Sequence, residues 1–249
     1  MASRPVVTRV ADGAYLVAGT AVNWVVLTDG DAVTLIDAGY PGDAGAVEAV
    51  LEGIGYRIGQ VEAVLVTHAH IDHVGGLSGL LGRARFPVYL SEREVHHARG
   101  EYRQSAGPAD VLGRLWRPGF PGWALSILRA GALRHVTLPD ARPFPGPGPL
   151  DLPGRPVPVP TPGHTSGHSA YHLPDLGAVV SGDALVTGHP TSPAAGPQLL
   201  MPFFSHDNAL AAASLDALTA LDADLLLPGH GPLHRGPVRE AVARARERA

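Results

Sequence analysis

The chain has 249 residues, 45% hydrophobic and 17% charged, a balance that suits a folded protein with a sizeable core and excludes a disordered one. Its formal charge is −4 and its basic residues are all arginine, so no concentrated cationic surface is expected and nucleic acid is excluded as a partner. Cysteine is absent, which removes disulfides, thiolate ligands and a cysteine nucleophile together. No apolar run reaches the ~18 residues of a membrane span and no signal-like apolar stretch opens the chain, so a cytoplasmic, membrane-free protein is expected.

In chain order, "GAYLVAG" (13–19), "NWVVLTDG" (23–30) and "AVTLIDAG" (32–39) read as short apolar strands closed by glycine or Asp-Gly. "DAGAVEAVLEGIG" (43–55) has its apolar residues at helical spacing, and "VEAVLVTH" (61–68) is a buried strand ending in polar residues. A short helix at "LSGLLGR" and a strand at "FPVYLS" follow, and residues 91–135 read as mostly helical. The proline-crowded 143–167 contains "RPVPVPTPG", which fits an edge strand, where a missing N–H does no harm. Strands at "SAYHLP" and "GAVVSGD", a helix at "NALAAASLDALTAL", a strand at "ADLLLPGHG" and a C-terminal amphipathic helix complete the pattern. Strands then helices, twice over, predict one α/β domain of two packed sheets with outer helices.

The chemistry concentrates in "THAHIDHVGG" (67–76). His68 and His70 stand two apart, so extended backbone turns both to one side, and a helix starting near Ile71 swings Asp72 and His73 round to a neighbouring position. Imidazole and carboxylate are suitable zinc ligands. Chance yields HxHxDH in a chain of this composition with a probability of roughly 0.002, which favours metal binding over a surface accident. His164 in "PTPGHTSGH", Asp183 in "VVSGD" and His230 in "LLLPGHG" each place one ligand-type side chain where a strand meets a loop. Asp37 either orients a ligand histidine or closes a turn. His168, His172, His96, His97, His135, His189, His206 and His234 read as structural or exposed, with His206 the first to reconsider.

The motifs "LIDAG", "THAHIDHVGG", "TPGHTSGH", "SGD" and "PGHG", in that order, resemble those of the metallo-β-lactamase fold hydrolases, and the likeness runs the length of the chain. The resemblance implies a four-layer αββα sandwich of two mixed sheets spanning 1–249, with a helical, substrate-covering insertion at about 91–135. It implies two divalent cations, zinc first, with iron or manganese as alternatives. His68, His70 and His164 would hold one, Asp72, His73 and His230 the other, and Asp183 would bridge them. Glyoxalase II enzymes and many acyl-homoserine lactonases share this ligand pattern. The lactonases add a tyrosine three positions past the bridging aspartate, where this chain has Val186, and zinc β-lactamases usually carry Cys or Ser in place of Asp183.

The implied activity is hydrolysis of an ester, thioester or lactone by a metal-bridging hydroxide, with Asp72 and Asp183 as the catalytic carboxylates. The alternatives are an iron-loaded oxidoreductase of the same fold, a β-lactamase-like amide hydrolase, and a non-catalytic metal-binding module. Trp116, Phe120 and Trp123, with Leu199, Leu200, Met201, Phe203 and Phe204, form a candidate roof for a small-molecule substrate bearing an apolar acyl or aromatic group; packing of the same residues into a helix core is the competing expectation. The oligomeric state is left open by the sequence.

Overall fold

The structure, a computed structural model, describes residues 4–248. Strands β1 (Val6–Ala11), β2 (Ala14–Ala18), β3 (Asn23–Asp29) and β4 (Ala32–Ile36) form an antiparallel meander, followed by helix α1 (Ala44–Gly53). Strand β5 (Val61–Leu65) lies parallel to β4 and leads into the short helices α2 (Ile71–Val74) and α3 (Leu77–Leu80). Strand β6 (Val88–Leu90), helices α4 (Glu92–Ala98), α5 (Pro108–Leu112) and α6 (Phe120–Arg129), and strand β7 (Arg142–Pro143) complete a seven-stranded sheet in the order β1 to β7.

The second sheet runs β12-β11-β10-β9-β8. It comprises β8 (Val157–Pro160), β9 (Ser169–Leu173), β10 (Ala178–Gly182), β11 (Leu225–Pro228) and β12 (His234–Arg235). Helices α7 (Asn208–Ser214) and α8 (Asp216–Thr219) precede β11, and α9 (Val238–Arg246) closes the chain. The proline-rich β8 is an edge strand, as its missing N–H groups require. Among the described residues no helix is long and apolar enough to cross a membrane.

Alternation along the strands builds the layers, because successive side chains leave a strand on opposite faces. On β3, Val25 and Leu27 face inward onto Tyr171, Leu173, Leu225 and Leu227 of the second sheet. Trp24 and Val26, on the other face, pack with Val47, Leu51, Leu77 and Leu80 of α1 and α3. On β10, Val180 joins the inter-sheet core while Val179 packs outward with Leu218, Ala241 and Val242 of α8 and α9. The result is the expected αββα sandwich of two mixed sheets.

Three strands went unread in the sequence. Of these, β7 and β12 have two residues each, too few for a period to show, and β1 is an exposed edge with weak alternation. The expected helix at 208–221 is divided at Leu215 into α7 and α8.

A candidate metal centre at one edge of the sandwich

Strands β4, β5, β8, β10 and β11 run the same way within their sheets, and the side chains of interest follow their carboxyl ends. In open α/β sheets this end is where ligands bind. Asp37 follows β4, His68 to His73 follow β5, His164 sits on the turn after β8, Asp183 follows β10, and His230 follows β11. His70 is the N-terminal cap position of α2, so the chain turns from extended to helical between His70 and Asp72, as the motif predicts. Gly76 lets that turn pack tightly, since a Cβ there would overlap the carbonyl oxygen of Ala38. Gly229 has the same role beside His230, where a Cβ would overlap the Asp183 carboxylate.

All seven predicted residues come together. His164 Nε2 lies 3.1 Å from His68 Nε2 and 3.0 Å from His70 Nδ1. Asp72 Oδ2 lies 3.8 Å from His73 Nε2 and 3.6 Å from His230 Nε2. Asp183 stands between the two triads: Oδ2 is 3.2 Å from His230 Nε2 and 3.4 Å from His164 Nε2, and Oδ1 is 3.4 Å from His73 Nε2. Three sets of donor atoms each lie within 4.8 Å of one another: those of His68, His70 and His164; of His68, His73 and Asp183; and of Asp72, His73 and His230.

The donors fit divalent cations. His73 Nε2 and Asp183 Oδ1 are buried without a hydrogen-bond partner, although they face one another across a short gap. Buried polar atoms ordinarily find partners, and orphans converging on one space are what a cation satisfies. Imidazole and carboxylate donors without sulfur suit zinc, and also iron or manganese.

Burial pushes His68, His70 and His164 below the ordinary histidine value, so they are neutral, as metal ligation requires. Burial acts the same way on His73 and His230, but Asp37 and Asp183 outweigh it at His73 and Asp183 does so at His230, so both are raised. Burial alone would raise the Asp183 carboxyl; His230 and His73 reverse this and hold it well below the usual carboxylate range.

Asp37, with φ 65° in the left-handed region, accepts from the Thr67 amide at 2.8 Å, the Thr67 hydroxyl at 2.9 Å and His73 Nδ1 at 2.8 Å. Its backbone therefore sits in a left-handed turn while its carboxylate orients His73. His230 Nδ1 donates to the carbonyl of Ala21 at 2.7 Å. The loop bearing His230 is stapled by Asn23, whose side-chain amide donates to the carbonyls of Pro228 at 2.9 Å and Gly231 at 2.7 Å.

Several neighbours of the centre were not singled out by the sequence. His189 lies with its ring 5.0 Å from that of His230, between Trp123 and Phe204, whereas His206 is exposed and meets His164 only through a main-chain bond. His168 is buried, and its Nε2 accepts the Asp183 amide at 3.1 Å. Glu94 is fully buried among the loops carrying His70 and His164. Nothing in local spacing marks these residues, because the contacts that bring them to the centre and its loops span 15 or more positions. Of the candidate roof, Phe120, Trp123, Met201, Phe203 and Phe204 pack on one another, Leu199 joins the core beneath α8 and α9, and Trp116 points to solvent.

A two-sheet sandwich with a histidine and aspartate cluster at the carboxyl ends of its strands defines a metal-binding α/β protein. The chain belongs to the metallo-beta-lactamase superfamily, whose family model matches residues 17–230. It is 32% identical over 212 residues to the probable metallo-hydrolase YflN of Bacillus subtilis, covering 79% of this chain and 74% of that one. It is also 35% identical over 196 residues to a hydroxyacylglutathione hydrolase of Cupriavidus taiwanensis, covering 79% of this chain and 57% of that enzyme. Among solved structures, a metallo-beta-lactamase family protein from Thermus thermophilus superposes with a TM-score of 0.62 at 25% identity, over 95% of this chain and 79% of that one. The superfamily includes metallo-hydrolases that act on small molecules with divalent metal ions, commonly zinc.

Proposed function

We propose that this protein hydrolyses an ester, thioester or lactone at a dinuclear centre. In this reading His68, His70 and His164 hold one divalent cation, Asp72, His73 and His230 hold a second, and Asp183 spans the two. The observation that carries it is the Asp183 carboxylate, within 3.4 Å of nitrogens from both triads. The likeness to hydroxyacylglutathione hydrolases, enzymes named for cleaving an acylated thiol, supports an acyl substrate.

A pair of divalent cations would supply Lewis acidity towards a carbonyl oxygen and acidify water. The chain's own residues do the rest. Neutral His68, His70 and His164 offer lone pairs without first losing a proton. Asp183, 3% exposed in its side chain, offsets positive charge and fixes the separation of the triads. Asp72, 16% exposed, is the carboxylate on the open side, so we assign it contact with the leaving group.

Residues 1–249 form one catalytic domain in this reading, and 91–135 is its substrate cover. In support, α6 brings Phe120 and Trp123 against Phe203 and Phe204 beside His189. A cavity of ≈ 580 Å³ lined by Leu16, Val22, His189, Pro190 and Leu233 adjoins the loop after His230. None of the seven candidate donors and no residue of 91–135 lines it, so it would take a remote apolar part of the substrate and not the reacting group.

The test is a panel of an ester, a thioester, a lactone, a β-lactam and a phosphodiester, assayed on wild type and Asp183→Ala with metal analysis of both. At least one carbonyl substrate is turned over by wild type, and the variant loses several orders of magnitude in rate. Cleavage of phosphodiesters alone overturns the carbonyl assignment. Iron content with oxygen uptake and no hydrolysis overturns the hydrolase.

A further inference from the structure

One buried carboxylate governs two of the three donors in the first triad. Glu94 on α4 accepts from the Ala69 amide at 2.8 Å and from His97 Nδ1 at 2.6 Å through Oε1, and from the Thr165 hydroxyl at 2.9 Å through Oε2. Ala69 lies between His68 and His70, and Thr165 follows His164, so Glu94 ties the two loops together. Gln104 makes a second tie. Its amide donates to His97 Nε2 at 3.3 Å, its carbonyl meets His70 Nε2 at 2.5 Å, and its side-chain Oε1 accepts from the Ser166 amide at 2.8 Å.

The proton positions follow in sequence. A carboxylate can only accept, so His97 carries its proton on Nδ1 and leaves Nε2 to accept from Gln104. A carbonyl can only accept, so His70 carries its proton on Nε2 and turns a bare Nδ1 towards His164, 3.0 Å away. The Gln104 carbonyl thus fixes which nitrogen of His70 is free, and Glu94, through His97, anchors the Gln104 main chain that presents it.

The second triad has different supports: Asp37 holds His73, and the Ala21 carbonyl holds His230. His68 belongs with Asp37, through the Thr67 hydroxyl 3.0 Å from its Nδ1. Asp37 therefore reaches both triads, whereas Glu94 reaches only the first.

We propose that Glu94, acting through His97 and Gln104, is a positioning residue for the first cation position alone, so that this position can be emptied while the second stays filled. The proposal rests on the dinuclear reading above.

The test uses the full chain loaded with cobalt(II), challenged with a graded chelator, and read by metal content per chain and by visible absorption. Wild type, Glu94→Gln and His97→Phe are compared; the phenylalanine keeps the ring stack on Tyr102 and removes both nitrogens. Wild type holds two cations. The Glu94 and His97 variants release one of them at about 10–100-fold lower chelator concentration and keep the other as wild type does. The retained cation has an absorption spectrum distinct from that retained by Asp72→Ala.

Release of both cations together, or of neither earlier than wild type, overturns the proposal. Wild type binding fewer than two cations overturns the dinuclear reading instead. Thermal melts of the metal-free forms show which variants are folded. If Glu94→Gln is not, His97→Phe decides the question by the same release pattern.

Discussion

The Asp37 carboxylate accepts a hydrogen bond from His73 Nδ1 at 2.8 Å and two more from Thr67, so one side chain orients a candidate ligand and the strand end that carries His68, His70 and Asp72. Asparagine has the same shape but presents an amide to one of these donors. Asp37→Asn is expected to weaken cation retention about 10–100-fold at both positions, because Thr67 passes the disturbance on to His68. Chelator competition with elemental analysis measures it, and loss confined to one position would contradict the shared support.

His189 is a neighbour of the cluster whose nitrogens lie outside the three donor sets. Its Nδ1 accepts from the Thr191 amide at 3.2 Å, and its ring meets His230 edge to face. His189→Phe is therefore expected to bind the same number of cations per chain as wild type. A lost equivalent in metal analysis would place His189 among the ligands.

Acid should act on folding through His168. Burial lowers it from 6.5 to about 4, so the fold binds the neutral ring and the unfolded chain takes up a proton first. Its contribution is complete above pH 6.5 and is lost as pH falls towards about 4, at a cost of roughly 3 kcal/mol. Denaturant melts of metal-free wild type and His168→Gln at about pH 7.0, above that window, and about pH 4.5, near its lower end, should show a shallower fall in the variant. Parallel falls would remove His168 as the cause.

Two glycines should respond in opposite directions to alanine. At Gly76 the new methyl overlaps the Ala38 carbonyl, so Gly76→Ala should cost about 1–3 kcal/mol and loosen the turn that carries Asp72 and His73. At Gly53, the last residue of α1, nothing lies within 4 Å and the backbone is helical, so Gly53→Ala should stabilise by about 0.5–1 kcal/mol. Urea denaturation of both variants checks the pair, and equal effects would mean that the close approach at Gly76 is not real.

Much of the fold was legible because it is local. The strands at Asn23–Asp29 and Ala178–Gly182 have apolar runs bounded by turn residues, and the helix at Ala44–Gly53 keeps a helical period. The proline-rich strand Val157–Pro160 was readable as an edge from its missing donors. The two-residue strands could not be read, since their pairing is decided by a neighbour. The roof residues were a different case: apolar composition marks burial but does not say against what, and Trp116 proved to be exposed.

The sequence by itself nominated the candidate donors, because a metal-ligand motif depends on residue type and short spacing, and His68, His70, Asp72 and His73 satisfy both within six positions. It also located His164, Asp183 and His230 at strand ends, where apolar periodicity stops. Tertiary structure alone decided what holds those candidate donors: Glu94, Gln104, His168, Asn23 and His189 act across 15 to 208 residues of chain, through contacts that exist only once the chain is folded. Hydrogen bonds over such separations leave no period in the sequence, because their geometry comes from packing.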